Sequence, residues 1–287
     1  MKISGFTFIR NGVLLDYPFL ESLQSLLPLC EEIFIAVGNS SDGTAERIKS
    51  LNSQKIKIIP TIWDDALRKD GAILSQQTNI ALKQATGDWA IYLQADEVLH
   101  EKDYPIIYDS LNQFCDTHRV EGLLFNYKHF YGSYEYIGHS RRWYRREIRI
   151  IRPDIGISSW GDAQGFRLQG KKLQVKQINA TVYHYGWVRS PEVQQLKQKS
   201  FHKLWHSDEW VKQHTSNSLE YDYSNGGKLQ RFNNTHPAVM RDRISRQSWK
   251  YIYDENKIIQ PFREKLLDAI EAKFGWRIGE YKNYKLI

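Results

Sequence analysis

The N-terminal half of the chain alternates apolar runs with amphipathic segments, and this alternation limits the possible folds more than any other feature. Several short runs have the composition and length of buried strands, among them "ISGFTFI" at 3–9, "EIFIAV" at 32–37 and "WAIYL" at 89–93. Between them, apolar residues recur at helical spacing near 19–27, 45–51 and 72–85. Strands that alternate with helices are typical of a largely parallel sheet covered by helices. The sequence therefore predicts an α/β fold.

The second half of the chain follows a different pattern. Residues 121–187 mix short strand-like runs with loops rich in glycine and aromatic residues. After Pro191, helical spacing returns over 191–214, 237–253 and 261–273. A chain of 287 residues is long enough for one large domain with an extension. We predict an α/β domain over 1–190 and a mainly helical C-terminal extension over 191–287 that packs on it.

The composition argues against several classes of protein. The chain begins without an apolar segment of signal-peptide length, and no stretch approaches the roughly 18 continuous apolar residues of a membrane span. Cys30 and Cys115 are the only cysteines, which argues against a disulfide framework. From these features we predict a cytoplasmic protein. The formal charge of +7 suits an anionic ligand or a membrane surface and does not choose between them.

Two neighbouring acids, Asp96 and Glu97, follow the apolar run that ends at Leu93. In open α/β sheets, ligands bind at the carboxyl ends of the strands, and this is where both acids fall. Two carboxylates at such a position can hold Mg²⁺ or Mn²⁺, because these hard cations prefer oxygen ligands. The structural alternative is that Asp96 caps the following helix and Glu97 is solvated.

Two longer segments around these positions resemble a known family. "QQTNIALKQATGDWAIYLQADEVL" is similar to the run that leads into the Asp-x-Asp motif of family 2 glycosyltransferases, which have the GT-A fold. "IFIAVGNSSDGTAERI" resembles the second strand of that family and the loop after it. The resemblance extends from Ile3 to about Trp187. It implies a Rossmann-like mixed sheet flanked by helices, with a nucleotide-sugar donor bound across the first two strand ends and its diphosphate on a divalent metal.

The resemblance carries over to individual residues, with some departures from the family pattern. Asp96 matches the second acid of the Asp-x-Asp motif, whereas Gln94 stands in place of the first. Val37 and Gly38 replace the acidic pair of the second-strand loop, which leaves the donor base open. The donor-binding residues that the resemblance implies are Phe8, Arg10, Asn39, Asp42, Gln77, Asn79, Gln94 and Asp96. Asp42 also has a local explanation, because "SSDGT" is typical of a turn that caps a helix.

The resemblance also implies a metal centre. It places Mg²⁺ or Mn²⁺ on Asp96, and His184 in "ATVYHYGW" matches a histidine that joins the metal or the diphosphate in many GT-A enzymes. The alternative for His184 is an ordinary core histidine in an aromatic strand.

Sugar transfer with inversion needs a base that accepts the proton of the acceptor hydroxyl. The first candidate is Asp162 in "SSWGDAQGFRL", which lies roughly where the family carries its acceptor-side acid, and the second is Glu97. The structural alternative for Asp162 is an ordinary Gly-Asp turn.

Two basic segments suggest further contacts. "HSRRWYRREIRIIR" holds six arginines between 141 and 152, and one face of this strand could meet phosphates or form a solvated edge. The tail "AKFGWRIGEYKNYKLI" mixes cations with aromatic residues, so it could rest on the inner face of an anionic membrane or pack on the core.

The function predicted from these features is inverting, metal-assisted transfer of a hexose-like sugar from a nucleotide sugar to a saccharide or lipid-linked acceptor, in surface polysaccharide or lipopolysaccharide assembly. The alternative is a catalytically impaired nucleotide-sugar-binding module, suggested by the missing acids at 37, 38 and 94. A nucleotidyltransferase would need a glycine-rich basic loop after the first strand, and only Arg10 and Gly12 are found there. The positive charge permits nucleic-acid binding, but no recognition motif supports it.

Overall fold

The computed structural model of the chain describes residues 1–64, 67, 70–215, 218–255, 258 and 261–287. Its α-helices are α1 Phe19–Leu26, α2 Thr44–Lys49, α3 Ala72–Leu82, α4 Tyr104–Gln113, α5 Pro191–His202, α6 Asp208–His214, α7 Arg241–Ser245 and α8 Phe262–Phe274. Among the described residues, no helix is both long and apolar enough to cross a membrane.

The strands of the described residues form one large mixed sheet and one small antiparallel sheet. They are β1 Ile3–Ile9, β2 Glu32–Val37, β3 Ile56–Pro60, β4 Trp89–Tyr92, β5 Glu97–Leu99, β6 Gly122–Tyr131, β7 Tyr136–Gly138, β8 Arg146–Ile151, β9 Ile157–Trp160, β10 Gly165–Leu168, β11 Lys171–Lys172, β12 Gln174–Trp187, β13 Leu229–Arg231 and β14 Lys285–Leu286. The alternating pattern of the N-terminal half is thus confirmed as an α/β fold.

The large sheet has a parallel half and a mixed half. β4, β1, β2 and β3 run parallel to one another, with Phe6 of β1 opposite Phe34 of β2 and Tyr92 of β4. β8 continues the sheet antiparallel to β4, and β6 follows antiparallel to β8. The long strand β12 then lies parallel to β6 and antiparallel to the short β5. This pairing brings the end of β12 beside the turn that follows β4.

The large sheet lies in the middle of the fold because apolar side chains cover both of its faces. Ile33, Ile35 and Ile91 pack with the apolar side of α1 on one face. On the other face, Phe6, Tyr92 and Phe166 form a ring cluster with centroids 5.1 to 6.1 Å apart. Strands buried on both faces explain why the sequence shows continuous apolar runs instead of polar alternation.

The C-terminal region is less helical than its periodicity predicts. The segment expected to be one helix over 191–214 consists of α5 and α6, separated by residues 203–207, and the segment over 237–253 contains only a 3₁₀ turn and α7. Two of its strands extend the large sheet, since β13 pairs with β7 and β14 pairs with β12. The domain boundary at 190 stays a prediction.

Candidate functional site

A cavity of about 770 Å³ opens at the carboxyl ends of β1 and β4. Its volume falls in the range of small-molecule binding sites. Side chains from several places line it, among them the end of β1, the turn after β4, the loop between β9 and β10, strand β12 and helix α5 of the C-terminal extension. They include Phe8, Arg10, Tyr17, Trp63, Gln94, Asp96, Asp162, His184, Lys197 and His202. The extension therefore contributes one wall of the cavity.

Asp96 is the buried acid of this cavity, with 6% of its surface exposed. Its Oδ2 lies 3.2 Å from Nζ of Lys197, and its Oδ1 lies 3.8 Å from Nε2 of His184. Burial alone would raise the pKa of Asp96, but the positive charges of Lys197 and Arg189 and the hydrogen bond from Lys197 outweigh burial and lower it to about 2. Asp96 is therefore a carboxylate at neutral pH.

Lys197 reaches Asp96 from helix α5. Its Nζ also donates a hydrogen bond to the carbonyl oxygen of Gly186 at 2.7 Å and lies 4.9 Å from the ring centre of Tyr17. Burial and the nearby Arg189 lower the pKa of Lys197 to about 7, although Asp96 opposes this shift. An anion bound beside Lys197 would stabilise its charged form and raise that pKa.

A pair of histidines continues the site behind Asp96. Burial lowers the pKa of both His129 and His184, so both rings are neutral. Nε2 of His129 lies 2.8 Å from the carbonyl oxygen of Tyr144, which can only accept, so this nitrogen carries the proton. Nδ1 of His129 must then accept from Nδ1 of His184 at 2.9 Å. This assignment leaves Nε2 of His184 with a lone pair that faces Asp96.

Gly186 permits the close approach of these side chains. A Cβ atom at this position would lie 2.5 Å from Nε2 of His184 and 2.8 Å from Oδ2 of Asp96. Such contacts are far shorter than normal van der Waals separations, so only glycine fits at this point of "HYGW".

Asp162, the predicted base, lines the same cavity from a tight turn. Gly161 before it and Ala163 after it have φ angles of 61° and 63°. A left-handed conformation is uncommon for alanine and costs about 1 kcal/mol or more. Ala163 is fully buried among Trp63, Ile73 and Leu74, and this packing holds the strained turn in place. The turn presents Asp162 to the cavity.

Glu97, the second candidate base, occupies a structural position instead. It is fully buried, and its two oxygens accept from Nε and Nη2 of Arg149 at 2.8 Å each. Tyr127 and the backbone N–H of Gln94 also donate to it. A carboxylate held by four donors in this way is not available to accept a proton from a substrate, so this part of the sequence-based prediction is corrected.

The predicted donor-binding residues fall into two groups. Phe8, Arg10, Gln94 and Asp96 line the cavity, and their contact with a donor stays a prediction. Arg10 lies over the ring of Trp63 at 5.4 Å, and Phe8 contacts the same ring at 6.0 Å between centroids. These aromatic and cationic groups form one wall of the cavity next to the ends of β1 and β2, with the two rings inclined by 48°; an aromatic face of this kind can stack with a planar base.

Asn39, Asp42, Gln77 and Asn79 do not line this cavity. Asp42 accepts from the backbone N–H groups of Leu14 and Thr44, which matches its local explanation as a turn and cap residue. Each of the other three bonds to a neighbouring segment: Asn39 accepts from Trp63 N, Gln77 from the Thr61 hydroxyl, and Asn79 bonds with the backbone of Ser159. Their predicted direct contacts with a donor are corrected to supporting roles.

The arginine-rich segment is largely satisfied by protein groups. Arg149 pairs with Glu97, and Arg152 donates to the carbonyl groups of Phe114, Cys115 and Val120. Arg141 and Arg145 bind carboxylates of the C-terminal region, at Glu271 and Glu280. These four side chains are engaged in structure and not directed to phosphates.

The donor set at Asp96 does not fit a divalent cation as the side chains stand. The described residues contain no group of three or more histidine, cysteine or acidic side chains that could hold a metal ion. Asp96 and Nε2 of His184 have suitable ligand chemistry, but the ammonium group of Lys197 already contacts the carboxylate. A cation bound to Asp96 would be repelled by Lys197 at close range.

Lys197 in the cavity and His129 behind it were not among the residues predicted from the sequence. Lys197 lies 101 positions after Asp96, on a helix outside the segments that resemble the family. His129 follows the predicted strand "GLLFNY" without any motif around it. Lys197 lies in a polar stretch, "SPEVQQLKQKSFHK", that holds further lysines, so no signal in the sequence sets it apart.

A family comparison supports the assignment made from the motifs. The model of Glycosyl transferase family 2 matches residues 17–173. This match covers more than half of the chain, so the chain belongs to glycosyl transferase family 2. Together with the mixed sheet flanked by helices, membership confirms the predicted GT-A fold. No curated protein matches the chain.

Solved structures give only distant likenesses. TarS of S. aureus is 18% identical over 70% of this chain and 39% of its own, with a TM-score of 0.42. TarS 1–349 in complex with UDP is 16% identical over 69% and 64% of the two chains, with a TM-score of 0.40. Glucosyl-3-phosphoglycerate synthase from Mycobacterium tuberculosis, in complex with Mn²⁺, UDP and phosphoglyceric acid, is 14% identical over 45% and 43%, with a TM-score of 0.31. The chain thus spans less than two thirds of the length of these structures.

Proposed function

We propose that the protein transfers a sugar from a nucleotide-diphosphate donor to a hydroxyl acceptor. The observation that carries this proposal is the cavity of a family 2 member in which a buried carboxylate, Asp96, and a second acid, Asp162, face the same space. The distantly similar structures that hold UDP or UDP-GlcNAc suggest a uridine nucleotide as the first donor to test.

The proposed donor occupies the cavity with its base against the wall of Phe8, Arg10 and Trp63. Its diphosphate lies towards the cluster of Asp96 and Lys197, because the ammonium group of Lys197 faces the cavity there, whereas Arg10 lies over the ring of Trp63. The acceptor enters beside Asp162 and helix α5. In this arrangement Asp162 is the group that accepts the proton of the attacking hydroxyl.

The proposed reaction inverts the anomeric carbon in one step. The acceptor oxygen attacks this carbon as its proton moves to Asp162, and the bond to the diphosphate oxygen breaks with its electron pair on that oxygen. The leaving nucleoside diphosphate is a stabilised anion, so a second carboxylic acid is not required, in contrast to glycoside hydrolysis. The divalent metal implied by the family resemblance stays a prediction that the occupied carboxylate of Asp96 does not favour.

The wider role proposed for the reaction is surface polysaccharide or lipopolysaccharide assembly in the cytoplasm, with a hexose-like sugar and a saccharide or lipid-linked acceptor. Contact with the inner face of the membrane is part of this proposal. It is supported by the exposed aromatic residues of the C-terminal region, where Phe262, Phe274, Trp276 and Tyr281 are 67% to 82% exposed.

The test is donor binding and turnover by the wild type and by Asp162→Asn. Isothermal titration calorimetry with a panel of nucleotide sugars identifies the donor, and transfer to added acceptors is then measured. We expect Asp162→Asn to bind the donor normally but to lower kcat by about 10²- to 10⁴-fold, because it removes the base. Asp109→Asn on the exposed face of α4 is the matched control.

Two outcomes would contradict the proposal in different ways. Turnover by Asp162→Asn at the wild-type rate would exclude this residue as the base. Donor binding without turnover over any acceptor would favour the alternative, a catalytically impaired binding module.

A further inference from the structure

Lys197 occupies the place beside Asp96 that the family resemblance assigns to a divalent cation. We propose that the Lys197 ammonium group replaces that cation and contacts the donor diphosphate directly. Sugar transfer then proceeds without a divalent metal. This inference rests on the proposed function and names the catalytic cation of the same site.

The contacts of Lys197 fix its ammonium group and leave it able to bind a ligand. An ammonium group has three N–H donors. One contacts Oδ2 of Asp96 at 3.2 Å and a second the carbonyl oxygen of Gly186 at 2.7 Å. Among the described residues these are its two hydrogen-bond partners, and Lys197 lines the cavity. One donor is therefore left for an oxygen of a bound ligand.

The groups around Lys197 carry an excess of positive charge, which favours the binding of an anion. Arg189 is fully buried, and its Nη1 donates to the same carbonyl oxygen of Gly186. Within the part of the chain that the structure describes, its Nε and Nη2 have no hydrogen-bond partner. Arg189 and Lys197 thus place two cations near the single carboxylate of Asp96, since Glu97 is already neutralised by Arg149. A diphosphate would supply the missing negative charge.

The backbone that carries Lys197 is suited to hold a catalytic group. Helix α5 begins at a capped end, where the hydroxyl of Ser190 accepts from the N–H of Val193. Lys197 lies in the middle of this 12-residue helix, not on a loop. Groups on regular elements keep a more constant position than groups on loops, which favours stabilisation of developing charge.

In the transfer step, Lys197 acts where the leaving group gains charge. As the bond from the anomeric carbon to the diphosphate breaks, the diphosphate oxygen keeps the electron pair, and the acceptor proton goes to Asp162. The ammonium group stabilises the new charge through a charge-assisted hydrogen bond, which is the task of a metal ion in other sites. Lys197 itself gives up no proton in this step.

The experiment measures binding of UDP to the full-length chain by isothermal titration calorimetry, once in EDTA and once with Mn²⁺. If UDP does not bind, GDP, ADP and CDP replace it in the same comparison. We expect the wild type to bind with the same affinity in both conditions. Lys197→Met should weaken binding in EDTA by about 10- to 100-fold, the usual effect of losing one charge-assisted hydrogen bond.

Two further variants guard against a folding artefact. Lys197→Arg keeps the positive charge and should lose less affinity than Lys197→Met. Lys199→Met removes a lysine from the same helix that does not line the cavity, and it should bind like the wild type. Thermal melting checks that each variant folds, and the wild-type comparison depends on no variant.

The failures of the two proposals are distinguishable. Binding that requires Mn²⁺, or wild-type affinity of Lys197→Met in EDTA, overturns the role of Lys197 and leaves the proposed function intact. Absence of binding by all four nucleotides in both conditions overturns both proposals.

Discussion

At the scale of single residues, Glu147 is a buried acid that the proposed reaction does not use. One of its oxygens accepts from Nε2 of Gln164 at 2.8 Å, and the other has no partner among the described residues. Burial raises the pKa of Glu147 from 4.5 to about 7, although Arg149 opposes the shift. The folded chain therefore holds a proton on Glu147 in a pH range where the unfolded chain has lost it.

This shift predicts that stability falls as the pH rises from about 4.5 to about 7. The folded chain favours the protonated carboxyl of Glu147. This contribution to the free energy of unfolding is fully present below the window and is lost above it. Glu147→Gln removes the buried charge, so it should stabilise the protein at pH 8 by on the order of 3 kcal/mol relative to the wild type, and much less at pH 4.5. Chemical denaturation at the two pH values measures the difference.

Glu46→Gln, on the exposed surface of α2, is the control for this prediction, because its side chain is solvated in both states. An equal effect of Glu147→Gln at both pH values would show that the carboxyl does not titrate in this window.

The cavity residues show how far sequence reasoning reaches at this scale. Phe8, Arg10, Gln94, Asp96 and His184 could be placed because they lie at or near the ends of strands that meet at one edge of the sheet. Asn39, Gln77 and Asn79 have similar positions in the sequence, but their side chains satisfy neighbouring backbone or hydroxyl groups. Whether a polar side chain faces the cavity or its neighbours depends on packing that the sequence does not display.

At the scale of structural elements, the ion pair of Glu97 and Arg149 joins β5 to β8. Arg149 also donates to the carbonyl oxygen of Gln164, two positions after Asp162. Glu97 directly follows Asp96 in the chain. The pair therefore connects the turn that carries the buried acid with the loop that carries the proposed base, and it acts as a positioning contact between them.

We predict that Arg149→Met lowers the free energy of unfolding by about 3–5 kcal/mol, because it leaves a buried carboxylate without its partner. The double variant Arg149→Met with Glu97→Met should recover much of this loss, since it removes both charges. Urea denaturation of the single and double variants gives the coupling energy.

Arg47→Met on the exposed face of α2 provides the control, with an expected change within about 0.5 kcal/mol. If the effects of the two single variants simply add in the double variant, the two side chains do not act as a pair.

The accuracy of the element prediction also has a physical explanation. The buried strands β1, β2 and β4 were predicted within about one residue because continuous apolar runs mark them. The helix expected over 237–253 is mostly absent because Trp249 and Tyr251 pack against Gly132 in extended chain, where Trp249 donates to the carbonyl oxygen of Gly132 at 2.7 Å. Three-residue strands such as β5 are too short to show any periodicity.

At the scale of the whole molecule, the C-terminal region presents an apolar and basic surface. We name the exposed side chains Phe262, Phe274, Trp276 and Tyr281, together with Lys265, Lys273 and Lys282, the tail surface. Glu271 and Glu280 are neutralised by Arg145 and Arg277, so the exposed charge of this surface is mainly positive. Aromatic and basic residues together match the interface of an anionic membrane.

The tail surface should bind vesicles that contain phosphatidylglycerol and not vesicles of phosphatidylcholine alone. Replacing Phe274 and Trp276 by serine should reduce cosedimentation by about tenfold, because two inserted aromatic side chains are lost. Ile252→Ser removes an exposed apolar residue outside this surface and should leave binding unchanged. Equal binding to both kinds of vesicle, or no effect of the double replacement, would contradict this role of the tail surface.

The two cations near Asp96 have a consequence for the abundance of the protein in the cell. Burial and repulsion by Arg189 lower the pKa of Lys197, so its charged form is disfavoured while the cavity is empty. The proposed anionic donor would relieve this repulsion and shift the folding equilibrium towards the native state, to an extent set by its concentration and affinity. Degradation acts mainly on the unfolded fraction. The abundance of the protein would then rise and fall with the supply of its activated sugar, without a separate regulator.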